Sequence, residues 1–414
     1  MSDERPPGSG LDPAPPEPGA SPHDETELSV AIDLSRRKSA PPPDLVRESI
    51  LGARREAGPY VTMVRIALTQ LARSRVARLG SLMLACLGFV AILADVLAND
   101  LPLACRWHGV LYLMPAVTRP SALGDQDCTR MERDHGPGDW QIRPLVAYGP
   151  SEVSKSRPPG GEAEDAPFGD EDVLLPPLTH GHPLGTDRLG RDLFARVVHG
   201  TRTALGQGLV ASFVLVAIGV ALGALAGFLG GVIDAIVARS VEALTAVPTL
   251  VLVLVVGALV PHPTTATLLW TIALTRWTEL ARLVRAEVLL TLGSDHVSAA
   301  RALGASPLRV LRRHVMPNAI GPAIVAAAFG VASVVVVEAA VDFLHVGSPD
   351  TMASWGESLG EARAHPQAWW LVAFPAATLL ATLVALNLVG EAARDALDPR
   401  LRGVGGELTE GMRG

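Results

Sequence analysis

Six apolar runs of about 20 residues dominate this chain, and that is the length a helix needs to cross a bilayer. They are residues 76–98, 204–229, 235–260, 264–283, 319–341 and 369–389. Hydrocarbon offers no partner for peptide N–H and C=O groups, so such runs fold as helices that satisfy their own backbone. The expected fold class is an all-α membrane protein with six transmembrane helices. Only Pro261-His262-Pro263 separates the third run from the fourth, and Pro248 is expected to kink the third. Composition agrees: 49% of the 414 residues are hydrophobic, although the first 60 are polar and proline-rich.

Arginine placement sets the expected orientation. Arg65, Arg73 and Arg75 precede the first run with Arg78 at its start, Arg282 lies at the end of the fourth run and five more arginines to Arg313 precede the fifth, and Arg394, Arg400 and Arg402 follow the sixth. Only Arg363 lies between the fifth and sixth. Six spans with both termini in the cytoplasm satisfy all of these together. Residues 1–60, with runs such as Pro41-Pro42-Pro43, are expected to be a disordered cytoplasmic tail. No apolar segment behind a basic cluster occurs there, so the first span is expected to act as its own membrane signal. The basic flank and first helix take 61–98, an extracytoplasmic loop 99–202, the transmembrane domain 203–402 and a second cytoplasmic tail 403–414.

Several features narrow the chemistry. No Gly-x4-Gly-Lys-Ser/Thr segment occurs, so the chain lacks the loop that cradles nucleotide phosphates. No basic block is interleaved with aromatic residues, which leaves nothing for nucleic acid. No catalytic, metal or cofactor site is expected. His180 and His182 read as a solvated turn, and Asp187 as the cap of the helix that follows, with Arg191 reaching back one turn. Cys105 and Cys128 share the long loop and form either a disulfide or two unpaired thiols. Gly219, Gly223 and Gly227 fall on one helix face and predict close approach of another helix. Arg239 with Glu242, and Arg276 with Glu279, have the spacing of pairs along one helix. Glu338 has no such neighbour and either lines a path through the membrane or holds an adjacent helix, with Asp342 close by in sequence.

The segment 293–318 reads GSDHVSAARALGASPLRVLRRHVMPN. Ser294 is placed to cap a short helix ending at Gly304, and Ser306 to cap a second that begins with Pro307 and breaks at Pro317-Asn318. On its chemistry alone this is an amphipathic loop whose arginines, Arg309 among them, meet lipid headgroups. It also resembles the loop of ABC importer permeases in which Glu-Ala-Ala is followed at fixed spacing by Gly and Pro, here Ser298-Ala299-Ala300, Gly304 and Pro317. His314 and Pro317-Asn318 match the dipeptide/oligopeptide form of that loop. Ser298 replaces the usual Glu, and Asp295 lies one turn earlier. Gly185-Thr186-Asp187, Gly190-Arg191-Asp192 and the segment Arg394-Asp395-Ala396-Leu397-Asp398-Pro399-Arg400 resemble two further signatures of that family.

The resemblance implies the type I ABC importer permease fold in a bacterial inner membrane. It implies no enzymatic activity in this chain, with ATP and Mg used by a separate partner. The implied partners are a second homologous permease chain, two ATPase subunits and an extracytoplasmic solute-binding protein, besides membrane lipid. The implied cargo is short peptides, with nickel chelates or other small solutes used by the same family. An ion-driven carrier is the contrasting reading, and it has no need of an ATPase-docking helix.

Overall fold

Helix α1, Arg75–Ile92, starts where Ser74 accepts a hydrogen bond from the Ala77 amide, and a short α2, Ala94–Leu97, follows it. The computed structural model describes residues 74–124, 126–134, 136–153, 174–179, 181–346 and 352–397. The expected tails 1–60 and 403–414 and His180 fall outside these residues.

The polar loop after α1 carries secondary structure of its own. Strands β1, Ala104–Trp107, and β2, Val110–Leu113, form a hairpin, and β3, Trp140–Ile142, pairs with β1 from the other side, all antiparallel. Helices α3, Pro115–Thr118, and α4, Cys128–Arg133, complete a small module, and Asp127 caps α4 by accepting from the Arg130 amide. Cys105 and Cys128 are both buried and both free thiols.

The 37-residue α5, Leu193–Leu229, begins well before the apolar run that announced it and is about 55 Å long. Its extra turns are capped by Asp192, which accepts from the Ala195 amide; Asp187, expected to be the cap, bonds within the preceding turn instead. Gly219, Gly223 and Gly227 do bring a neighbour close. A Cβ on Gly223 would lie 2.5 Å from the Ala281 carbonyl oxygen of α8, Thr265–Leu292. In lipid, where apolar burial gives little drive, contact this intimate is what holds two helices together.

The third run is two helices, α6, Gly231–Thr245, and α7, Thr249–Leu259, bent by 80° about Pro248. A kink was expected; the chain instead breaks, because Pro248 lacks an amide to continue α6. Among the described residues four helices are long and apolar enough to cross a membrane, or five if the bent pair is one span. The expected six are not reached on these grounds, since α8 carries Arg276, Glu279, Arg282, Arg285 and Glu287 from near its middle onward.

After α8 come α9, Asp295–Ala302, and α10, Pro307–Val310, then a π-helical turn, Leu311–Val315, running straight into α11, Met316–Phe343. The expected break at Pro317-Asn318 does not occur. The wider turn absorbs the mismatch: the Met316 amide donates to the Leu311 carbonyl, and Pro317, which has no amide, falls at the start of α11. Helix α12, Trp355–Glu361, and α13, Trp370–Leu397, end the described chain. Gly80 of α1 packs on Leu388 of α13, Gly208 of α5 on Val335 of α11, and Gly390 of α13 on Phe329 of α11.

Candidate functional site

Two regions collect the residues singled out by sequence. The first is the loop between α8 and α11. Val297, Val310 and Val315 are fully buried and pin it to the helices, while Leu303 is 89% and Leu308 62% exposed. Gly304 joins α9 to α10 at φ +80°, a conformation that side chains disfavour, so the two short helices turn about this residue. Ser294 sits at the cap position of α9, yet its hydroxyl donates to the Thr291 carbonyl instead of capping. Asp295, Ser298 and Ala299 are exposed, Ala300 is half-buried, and Asp295 makes no ion pair among the described residues. Arg309 is exposed, and the His314 ring lies 6.1 Å from that of His296. The loop therefore presents two leucines and a polar rim on a fixed base. Together α10, the π turn and α11 form one 37-residue helix, Pro307–Phe343, so the loop joins α11 without a break.

The second region lies at the other end of α11. Arg191 is 2% exposed and meets three carboxylates: Asp187 at 2.6 Å, Glu361 at 2.8 Å and Glu357 at 3.0 Å. Arg196, equally buried, holds Glu357 at 2.6 Å and the Pro150 carbonyl at 3.2 Å. Burial disfavours the Arg191 charge, but Asp187 and the two glutamates outweigh it and hold the guanidinium protonated above its ordinary range. Burial raises the Glu361 carboxyl to about 7, and the nearby Asp187 adds to the rise. A third, partly exposed arginine, Arg188, adds a longer contact to Glu361 at 3.7 Å. The second Glu361 oxygen accepts no hydrogen bond among the described residues.

The turn 185–192 is built for this lattice. Gly185, at φ +83°, packs under Trp370, whose indole donates to the Thr186 carbonyl at 3.0 Å, and Gly190, at φ +76°, closes the turn onto Asp187. His182 is fully buried, contrary to its reading as a solvated turn. Its Nδ1–H donates to Asp192 at 2.7 Å and its ring stacks on Tyr148 at 4.3 Å. Asp192 thus binds His182 and caps α5 at once. On the α11 side, Glu338 and Asp342 are one turn apart on the same helix, and Ser354 caps the start of α12 by accepting from the Gly356 amide. Both carboxyls are buried beneath α12, where Gly356 rests on the Ala339 carbonyl.

Sequence reasoning missed Arg196, Glu357, Glu361 and the burial of His182. The signal was present in WGESLGE, which sets two glutamates four apart on one face of a short glycine-rich helix. The expected pairs Arg239–Glu242 and Arg276–Glu279 form, at 2.7 and 3.3 Å, and Arg285 of α8 also pairs with Asp234 of α6.

A family model described as the inner membrane component of binding-protein-dependent transport systems matches residues 219–403. A putative peptide transport system permease protein of Brucella suis is 36% identical over 223 residues, covering 53% of this chain and 74% of that one. A di/tripeptide transport system permease protein of Pseudomonas aeruginosa is 37% identical over 220 residues, with 53% and 72% covered. An oligopeptide transport system permease protein of Bacillus subtilis is 36% identical over 230 residues, with 55% and 74% covered. The chain belongs to the binding-protein-dependent inner-membrane permeases of ABC importers, in the dipeptide/oligopeptide branch that these relatives represent.

Proposed function

We propose that this chain is one permease half of an ATP-driven importer of short peptides, and that residues 293–318 are where its ATPase partner docks. The observation that carries the reading is the pair of exposed leucines, Leu303 and Leu308, held on a buried valine base at the end of a helix that runs unbroken to Phe343. Asp295, Ser298, Ala299, Ala300, Gly304, Arg309, His314 and Pro317 form the docking loop, and ATP and Mg are bound by the partner. In this reading the membrane is crossed six times with both termini in the cytoplasm. The bent pair α6–α7 makes the third crossing and α8 the fourth, its charged second half emerging on the cytoplasmic side.

The lattice of Asp187, Arg191, Arg196, Glu357 and Glu361 then lies on the extracytoplasmic side. It clamps α12 to the start of α5, and Glu338 with Asp342 holds α12 onto α11. Closure of two ATPase subunits pushes the docking loop, α11 transmits the push, and the clamped α12 moves with it. A solute-binding protein delivers cargo to that face, and a second, homologous permease completes the path. The peptide relatives support the cargo class.

The test is ATP-dependent uptake of a labelled dipeptide by cells lacking the chromosomal copy. Plasmid-borne wild type restores uptake, and a Leu303→Asp/Leu308→Asp variant present at equal level in the membrane does not. Uptake restored equally by both, or insensitive to ATP depletion, overturns the proposal.

A further inference from the structure

The small sheet after α1 has two faces, and strand alternation assigns each residue to one. Cys105 and Trp107 turn inward, where Leu101, Ala116, Leu123 and Met131 close a core over them. Ala104 and Arg106 turn outward with their cross-strand partners Leu111, Leu113, Trp140 and Ile142. The free face of a half-buried antiparallel sheet is ordinarily polar. Here it is Leu113, Leu111, Ile142 and Trp140, exposed by 70, 56, 54 and 42%, around one arginine. Both faces of this sheet are apolar, and only one is covered.

Its position says what covers the other. Ala98 is fixed to α5, its carbonyl accepting from His199 Nε2 at 2.8 Å, and six residues of chain from there to Ala104 reach no further than about 20 Å. Asn99 donates to the Ala116 carbonyl of α3, which packs α3, with its exposed Met114 and Val117, against α2 at the end of α1. Phe89 and Ile92 of α1 are themselves exposed, so the apolar surface of the helix continues into the module. Away from this face, Asp100, Arg119, Asp127, Arg130 and Glu152 line a cavity of about 460 Å³. The module is amphipathic as a whole.

We propose that residues 104–145 form a membrane-interface module whose outward sheet face lies in the lipid headgroup region beside α1. Trp140 sits at the level where aromatic side chains collect, the aliphatic side chains enter the acyl boundary, and Arg106 reaches the phosphates. The family model begins only at residue 219 and assigns this module nothing. The inference rests on the reading of α1 as a membrane span. Its effect is to hold the first turns of α5, and the lattice built on them, at a fixed height above the bilayer.

The test uses the full chain, co-expressed with its transporter partners, in nanodiscs. Cys86→Ser removes the exposed thiol, and buried Cys105 and Cys128 stay unlabelled. A polarity-sensitive fluorophore is placed in turn at Leu113→Cys, Ile142→Cys and, as reference, Phe89→Cys in α1. The proposal predicts that all three lose most of their emission to a nitroxide carried near the lipid headgroup, and that the two sheet labels resist aqueous iodide. Sheet labels quenched by iodide but not by the lipid nitroxide overturn it, as do labels shielded only after a solute-binding protein is added. If Phe89→Cys also escapes the lipid nitroxide, the membrane placement of α1 fails; if it alone is quenched, only this inference fails.

Discussion

Arg191→Met tests whether the buried lattice holds α12 on α5. The substitution keeps the length and apolar stem of the side chain and removes the guanidinium, so the outcome reports on charge more than on volume. Glu361 then keeps only the partly exposed Arg188, at 3.7 Å, while Asp187 and Glu357 share Arg196, which lies 2.6 Å from Glu357 but 3.5 Å from Asp187. Removing one partner of a buried ion pair costs roughly 3–5 kcal/mol, because the charge left behind is neither solvated nor neutralised. For a chain of this size that is on the order of 10 °C in melting temperature. Part of the cost is avoided in acid, where the orphaned carboxylates take up protons, so the deficit is predicted to shrink as pH falls. Arg191→Lys, which keeps the charge but cannot fork to three carboxylates, is predicted to fall between. Melting in detergent, followed by loss of the monodisperse gel-filtration peak, measures all three. An Arg191→Met protein that melts with wild type, or whose deficit grows in acid, refutes the lattice as a stabilising clamp.

Glu361 gives a pH signature. Its carboxyl is raised from 4.5 to about 7 in the folded chain, so its contribution is fully present below 4.5 and lost as pH rises through 7. That amounts to about 3 kcal/mol over the window, and Glu361→Gln is predicted to flatten the melting temperature across it. Gly223→Val forces a side chain against the Ala281 backbone and is predicted to cost about 1–3 kcal/mol, read as reduced thermal stability. Gly206→Ala, inside α5 with open space around it, is predicted to melt at or slightly above wild type. Burial raises the Cys128 thiol to about 12, and Cys105 is buried beside it in the same module. A water-soluble maleimide is therefore predicted to leave both unmodified until the protein is denatured, and then to label both without reductant.

Four of the six expected spans, seen as α1, α5, α11 and α13, were legible because a bilayer demands about 20 apolar residues wherever the chain crosses. Gly219, Gly223 and Gly227 were legible for the same kind of reason, since three small residues on one face have one structural consequence. The loop's turn at Gly304 followed from the need for a left-handed residue between two short helices. What was not legible depends on distance in sequence. Arg191 and Glu361 are separated by 170 positions, and nothing local in either segment announces the other. His182 looked solvated because Gly and Pro flank it; the fold buries it by stacking Tyr148 on one side and aligning Asp192 on the other. The continuity of α10 and α11 through Pro317 was hidden because proline ordinarily ends a helix, and only the π turn before it makes the join possible. The module at 104–145 escaped because strands this short give little periodicity to read.

The central claim is that the loop 293–318 docks an ATPase, and co-purification tests it most directly. The chain is co-expressed with its transporter partners, extracted in a mild detergent, and captured as wild type, as Gly304→Arg and as Leu303→Asp/Leu308→Asp. All three substituted positions are exposed; Gly304→Arg also strains the left-handed turn, whereas Leu303→Asp/Leu308→Asp is predicted to fold and melt as wild type does and separates lost docking from lost fold. The account predicts an ATPase subunit retained by wild type and lost from both variants. Retention by both variants, or wild type that carries no ATPase through several detergents, contradicts it.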